Sequence, residues 1–533
     1  MAKRAGIVFF LFVLCLGGLG LRLMKIPFNQ PVQNATGSMS VVVDRSRGAI
    51  YDRNGLPLVQ TETQLYAAVK PTAAAIEALR PVLSAQNWEA AAERLSRGSL
   101  VVVPVDVAQI PCPDIEIFTA APRYSAQQLA PHLIGYLKRE TGRGVSGLEK
   151  SFDPLLEAAA GELRVRLAAD ALGRSLTGAA LEIERSGYCS AAGVKLTLDA
   201  GIQAIAEESM AQNGLAQGAV VVLDAQTGDV LALASTPAFD PNDIAASLSD
   251  PAQPFFNRAL GAYPVGSTFK CFIAAAALEQ GCTGAECFTC TGALEVGGRT
   301  FRCNRQEGHG TLDLTQALSA SCNLYFIQLA QQLEKQPLLD LMALFGFGES
   351  TELAPELRSA QGNLPGLGEL ALPGELANFS FGQGKLLGTP LQMAAATACL
   401  ANGGVYRAPR LIQATVAADG SEIPWPQAAE ERQVIRPATA QTLRQMMITT
   451  VEQGSGRGAK PEVGSAGGKT ATAQSGSFDA SDHEILRTGF TGFFPAENPR
   501  YVVTVFCENG ISGSADCSPV FKRIANVINA RGE

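Results

Sequence analysis

Residues 267–280, STFKCFIAAAALEQ, leave an α-helix almost no polar face. A surface helix keeps one apolar stripe, whereas a helix that is apolar all round has to be enclosed by other elements. The chain must therefore build a large core around this segment. It has the means: of 533 residues, 47% are hydrophobic and 17% charged, which excludes a disordered chain. The length suggests about two to four domains. One cation, Lys270, interrupts the apolar run, and Ser267 stands one turn before it.

That pair points to chemistry. Residues i and i+3 share a helix face, so Lys270 can reach the Ser267 hydroxyl. A serine hydroxyl is a weak nucleophile until a base takes its proton. Lysine can be that base once burial and a neighbouring cation favour its neutral form. A helix start also offers backbone N–H groups to a developing oxyanion. The chain has only three histidines, His132, His309 and His483, and lacks the Gly-x-Ser-x-Gly, His-Glu-x-x-His and P-loop patterns, so a base other than histidine is expected. Two further motifs follow in order: Ser321-Cys322-Asn323 and Lys469-Thr470-Ala471-Thr472. No other lysine has serine three residues before it, and no other asparagine has serine two before it. Each motif alone is commonplace; their uniqueness and order carry the weight. The net charge of −8 argues against nucleic acid as a partner.

The N-terminus suggests a compartment. Met1-Ala2-Lys3-Arg4 precedes the uncharged run Ala5–Leu21, with Arg22 and Lys25 after it. As a helix this run spans roughly 26 Å, enough to cross a bilayer core. A cleaved signal peptide is the competing reading, but an Ala-x-Ala-like site is missing. The expected order is a cytoplasmic stub (1–4), a transmembrane anchor (5–22), a juxtamembrane linker (23–37), an irregular α+β domain (38–190) and an α+β sheet domain (193–533). In the first domain, strands are expected at Ser40–Val43, Gln64–Val69 and Leu100–Val105, with a helix at Ala73–Leu83. In the second, Asp199 caps a helix, residues 218–235 form a hairpin turning at Asp224–Asp229, and residues 467–474, 488–495 and 501–509 are antiparallel strands. A closing amphipathic helix carries Val520, Phe521, Ile524, Val527 and Ile528.

The three motifs resemble those of the penicillin-binding transpeptidases. Tyr263-Pro264-Val265-Gly266, Ser321 to Phe326, Gly382-Gln383-Gly384 and Thr389-Pro390-Leu391-Gln392-Met393-Ala394 add to the likeness. Arg47-Gly48-Ala49-Ile50-Tyr51-Asp52-Arg53-Asn54-Gly55, His132 to Tyr136 and Gly147-Leu148-Glu149 are similar to marks of the class B kind, and the resemblance covers most of the chain. It implies an antiparallel sheet flanked by helices, behind a non-catalytic pedestal and one anchor, with the catalytic domain outside the cytoplasm. It implies peptidoglycan D,D-transpeptidation on stem peptides ending in D-Ala-D-Ala, inhibited by β-lactams, with no cofactor. Ser267 would be the acylated nucleophile and Lys270 its base. Ser321 would relay protons and Asn323 hold the substrate amide. Lys469, Thr470 and Thr472 would bind the terminal carboxylate, and the N–H groups of Ser267 and Thr472 would form the oxyanion hole. No glycosyltransferase domain fits before residue 190, so a membrane glycan-polymerising partner is implied. The alternatives are a D,D-carboxypeptidase or β-lactamase of the same fold, or a non-catalytic β-lactam sensor or scaffold.

One departure stands out. The family usually has glycine where this chain has Ala471, and a methyl in this substrate-binding strand is expected to narrow the approach. The 12 cysteines leave two readings open. Cys287-x-x-Cys290 has a metal-like spacing, and Cys303 with His309 could complete a Cys3His zinc site. An extracytoplasmic disulfide is the competing reading. The resemblance favours a Cys290–Cys303 disulfide and no metal, because related chains carry a cysteine pair in this region. Cys271 and Cys322 are expected to be small buried side chains, and His132 and His483 structural or surface residues.

Overall fold

The computed structural model describes residues 37–531, with Val13 and Leu16, apart from 171–173, 177, 427–430, 479–481 and 483. The expected stub, the anchor but for Val13 and Leu16, the linker but for Gly37, and His483 lie outside the described residues. Among the described residues no helix is long and apolar enough to cross a membrane.

The chain forms two compact units. The first holds the described residues up to Arg45, with Thr63–Ala120 and Glu162–Ser186. It contains two three-stranded sheets. Gly161–Ala169 is central between Gly37–Ser46 and Leu181–Ser186; Gln64–Val69 is central between Val101–Pro104 and Ile115–Ala120. Val69, Leu79, Leu95 and Val101 share its core. The helix expected over 73–83 stops at Leu79, next to Pro81, which has no N–H to continue it.

The second unit takes Ser46–Glu62, Ala121–Gly161 and Gly187–Glu533. Two early segments thus join the larger body. Ala49–Tyr51 pairs parallel with Gly193–Leu196. Arg47 lies 2.8 Å from carboxylate oxygens of both Asp153 and Glu157. Fully buried Glu149 receives Arg123 at 2.6 Å and faces Arg47 at 3.4 Å. His132 is buried and bonds through Nε2 to the Pro254 carbonyl at 2.6 Å, a structural role.

The elements that position the site start with α1 (Ala200–Gln212), capped by the Asp199 carboxylate, which accepts from Gly201 N and Ile202 N. β1 (Gly218–Asp224) and β2 (Val230–Thr236) form the expected hairpin. Asp224 accepts from the N–H groups of Gln226 and Thr227, and Gly228 supplies φ +75°. Then come α2 (Lys270–Glu279), α3 (Asn323–Gln332), α4 (Pro390–Ala401) and α5 (Pro437–Gln453). β3 (Gly467–Phe478), β4 (Glu484–Phe494), β5 (Tyr501–Gly510) and α6 (Ser518–Arg531) complete the unit.

The central sheet runs β2-β1-β5-β4-β3, antiparallel throughout. Its inner strands are buried on both faces. Val220 and Val222 join a core with Ile202 and Ile205 of α1 and Phe521 and Ile524 of α6. Val221 and Leu223 join the opposite core, with Phe272 of α2 and Ala394 of α4. The alternation places helices on both sides of one sheet. As the composition of 267–280 demands, every residue of α2 from Lys270 to Leu278 is buried.

Candidate active site

Ser267 sits in a 3-10 turn, Gly266–Phe269, that leads directly into α2. The entry is held by two glycines. Gly266 N donates to Gly382 O at 2.9 Å. A Cβ on Gly382, at φ +78°, would come within 2.1 Å of Gly266 O, so no side chain fits there. The same turn lies against β3: a Cβ on Gly266 would stand 3.3 Å from that of Ala471 and 3.1 Å from that of Ala473. This docking sets the serine beside the third motif.

Lys270 Nζ is fully buried and meets four atoms: Asn323 Oδ1 at 2.6 Å, Ser321 O at 2.7 Å, Ser267 Oγ at 3.1 Å and Ser321 Oγ at 3.3 Å. The two shortest contacts go to pure acceptors. A neutral amine has two N–H groups and one lone pair; those acceptors use the N–H groups and leave the lone pair for the Ser267 hydroxyl. The neutral form is the one the site favours. Burial, and then the charge of Lys469, hold Lys270 well below the ordinary lysine range. Burial likewise lowers Lys469 to about 8.

Ser321 lies between the two lysines, with Lys469 Nζ 2.9 Å from its Oγ. Its backbone takes φ +56°, a left-handed conformation that a serine adopts only when its surroundings impose it. Lys469 also donates to Thr470 O at 3.0 Å. A cleft of about 820 Å³ opens over this group and is lined by Ser267, Ser321, Asn323, Thr470 and Thr472. The structure thus brings seven of the eight expected catalytic and substrate-binding side chains together.

Ala471 is the exception. Its methyl lies within 3.3 Å of where a Gly266 Cβ would stand and 3.7 Å of where a Gly489 Cβ would stand, and it lines a different, smaller cavity behind the strand. Alternation along β3 turns it away from the cleft, so the expected narrowing of the approach does not occur.

Five lining residues were not legible in the motifs. Ser455 lies 3.2 Å from Thr470 Oγ1 and 3.5 Å from Lys469 Nζ. It is placed by Ser455 N donating to Ser319 O, with Gly454 too close to Ser319 for a side chain. Phe301 and Arg302, on a hairpin of Ala293–Val296 with Arg299–Arg302, form one wall of the cleft, and Ser512 and Ser514 line it as well. A serine between two glycines carries no residue-type signal; only the fold shows it.

The cysteines depart from expectation. Cys290 and Cys303 are free thiols, not a disulfide. With His309 and Cys322 they form a cluster whose ligand atoms all lie within 4.8 Å of one another. Cys287 is exposed and outside it, while Cys322 replaces it. His309 Nδ1 is 3.5 Å from both Cys290 Sγ and Cys303 Sγ, and Cys303 Sγ is 3.8 Å from Cys322 Sγ. Tetrahedral Zn2+ with ordinary bond lengths sets S···S near about 3.8 Å and N···S near about 3.6 Å. Contact with the Cys322 thiol lowers Cys303 and favours its thiolate, the ligand form. These four residues could hold one Zn2+ as a closed, structural site. Cys322 lies between Ser321 and Asn323, so an ion held there would brace the second motif.

Comparisons with known proteins agree with this geometry. The family model "Penicillin binding protein transpeptidase domain" matches residues 218–526. The peptidoglycan D,D-transpeptidase MrdA of Acinetobacter baumannii is 30% identical over 547 residues, spanning 89% of this chain and 80% of its own. MrdA of Escherichia coli strain K12 is 28% identical, spanning 96% and 92%. The crystal structure of penicillin binding protein 3 from Mycobacterium tuberculosis, complexed with aztreonam, superposes with a TM-score of 0.66 at 26% identity, covering 93% of this chain and 97% of that one.

Proposed function

This chain belongs to the penicillin-binding protein transpeptidase family, and from that membership we propose that it is a class B, serine-type peptidoglycan D,D-transpeptidase that cross-links stem peptides in cell-wall synthesis. One observation carries the reading: a fully buried lysine amine, whose two shorter contacts go to pure acceptors, lies 3.1 Å from Ser267 Oγ.

The steps follow from the contacts. Lys270 takes the Ser267 proton as Oγ attacks the carbonyl of the penultimate D-Ala. The tetrahedral oxyanion faces the backbone N–H groups of Ser267 and Thr472. Ser321, bonded to Lys469 and within reach of Lys270, passes a proton to the leaving amine, and terminal D-Ala departs. Asn323 gives its carbonyl oxygen to Lys270 and directs one amide N–H to Arg302 O at 3.5 Å, which leaves the other N–H for the substrate. Lys469, Thr470 and Thr472 receive the substrate carboxylate. An acceptor amine from a second stem peptide then loses its proton along the same path and attacks the acyl-enzyme. A β-lactam acylates the same serine. The apolar run Ala5–Leu21 serves as a single membrane anchor with the catalytic unit outside the cytoplasm, working beside a membrane glycan-polymerising glycosyltransferase.

Labelling with a fluorescent penicillin tests the nucleophile. The full chain is expected to label and Ser267→Ala to stay dark. Labelling that survives in Ser267→Ala would overturn the assignment. A D-Ala-D-Ala stem peptide with an amine acceptor then has to yield a cross-linked product; release of D-Ala alone would mean water is the acceptor.

A further inference from the structure

The segment after β5 packs against the third motif in a way the transfer steps leave unused. Residues Gly513–Cys517 make one wide turn into α6. Asp516 closes it. A single carboxylate oxygen, Oδ2, accepts from Ile511 N at 2.8 Å, Ser512 N at 2.9 Å and Thr488 Oγ1 at 2.9 Å. Thr488 on β4 stands opposite Thr472 on β3 in the sheet register. The carboxylate therefore ties the turn to the strand that neighbours the third motif.

Two glycines show how close the fit is. A Cβ on Gly510 would come within 2.4 Å of both Asp516 Oδ2 and Thr488 Oγ1. A Cβ on Gly513 would lie 2.3 Å from Gly489 O and 2.4 Å from Ala471 O. Gly513 thus rests directly on the backbone of the third motif, and its N–H donates to Thr472 Oγ1 at 3.3 Å. A hydroxyl has one hydrogen to give. With one of its two lone pairs engaged by Gly513, Thr472 can direct that hydrogen into the cleft.

Resting on the transpeptidase reading, we propose that Asp516 is a positioning residue: by clamping Ile511 and Ser512 it holds the Gly513 N–H on Thr472, so that the Thr472 hydroxyl donates to the substrate or β-lactam carboxylate. Asp516 acts through Gly513 and Thr472. Ser512 and Ser514, carried on the same turn, become part of the cleft wall.

The test compares two probes on the full chain. A penicillin carries the carboxylate; a carboxylate-free aryl boronic acid bonds to the serine without it. Asp516→Ala is expected to slow penicillin acylation about 10-fold, the scale of one misdirected hydrogen bond to a charged group, while boronic acid affinity stays within about 2-fold. Asp516→Asn keeps an acceptor oxygen and is expected to restore acylation to within about 3-fold of the parent. It also stands in should the alanine variant fail to fold. Equal losses with both probes, or no loss with either, would overturn the role. If the parent chain itself reacts with neither probe, the transpeptidase reading has failed instead.

Discussion

At the scale of residues, the lone pair of one amine decides the activity. Lys270→Arg keeps the charge but cannot be neutral. Penicillin acylation is expected to fall about 10²–10⁴-fold, the usual contribution of a general base. The pH profile follows from the two lysines. Acylation rises with pH as Lys270 sheds its proton, well below the ordinary lysine range. It declines as Lys469 loses its charge near about 8 and no longer attracts the carboxylate or depresses its neighbour. A rate that is flat across this range would contradict the assignment. His132 makes a separate prediction, on stability. Burial lowers it from 6.5 to about 4. Between those values the unfolded chain binds a proton that the folded chain does not, so stability falls as pH falls, by about 3 kcal/mol in all. Denaturant unfolding across that window should show the slope, and His132→Gln should lose it.

At the scale of elements, the sequence announced strands and helices wherever the apolar pattern was strong. The 218–235 hairpin, the Asp199 cap, the buried α2 and the closing α6 all appear where periodicity placed them. It also showed seven of the side chains around the cleft, Ser267 and Lys270 through their spacing on a helix and the other five through the likeness of the second and third motifs to those of the family. What it concealed has a common cause: proximity set by tertiary packing. Ser455 approaches Lys469 only because Gly454 docks on Ser319. Cys322 meets Cys290 and His309 only because α3 begins beside the 288–312 hairpins. Strand alternation was legible in principle, yet it was the fold that showed which face of β3 meets the cleft. Ala471→Gly is accordingly expected to leave penicillin acylation within about 2-fold and to cost about 0.5–1 kcal/mol of stability, since glycine gains freedom in the unfolded chain. A marked gain in acylation would put the methyl back in the substrate's path. For the cysteine cluster, elemental analysis of the purified chain should find about one Zn2+, lost in a Cys303→Ser, His309→Ala double variant, and a strong chelator should lower the melting temperature. Metal-free protein with an unchanged melting temperature would exclude the site.

At the scale of the whole molecule, the larger unit depends on segments far apart in sequence. Arg47, Arg123 and Glu149 share a buried network although 102 residues separate the first from the last. Glu149→Ala would leave two buried guanidinium groups short of a partner, and about 3–5 kcal/mol of stability should be lost, readable by denaturant unfolding. An unchanged midpoint would show that water or other carboxylates take over. The sheet order carries a consequence for synthesis. β5, the last of the described strands to be made, is inserted between β1 and β4, and β3 with its lysine lies beyond it. Lys469 follows Lys270 by 199 residues, roughly 10–40 s at a ribosomal rate of about 5–20 residues per second. The nascent chain therefore carries its reactive serine for most of that interval without the strand that arms it. A truncated product ending before β3 would lack Lys469, Thr470 and Thr472 and is expected to stay unlabelled by a fluorescent penicillin.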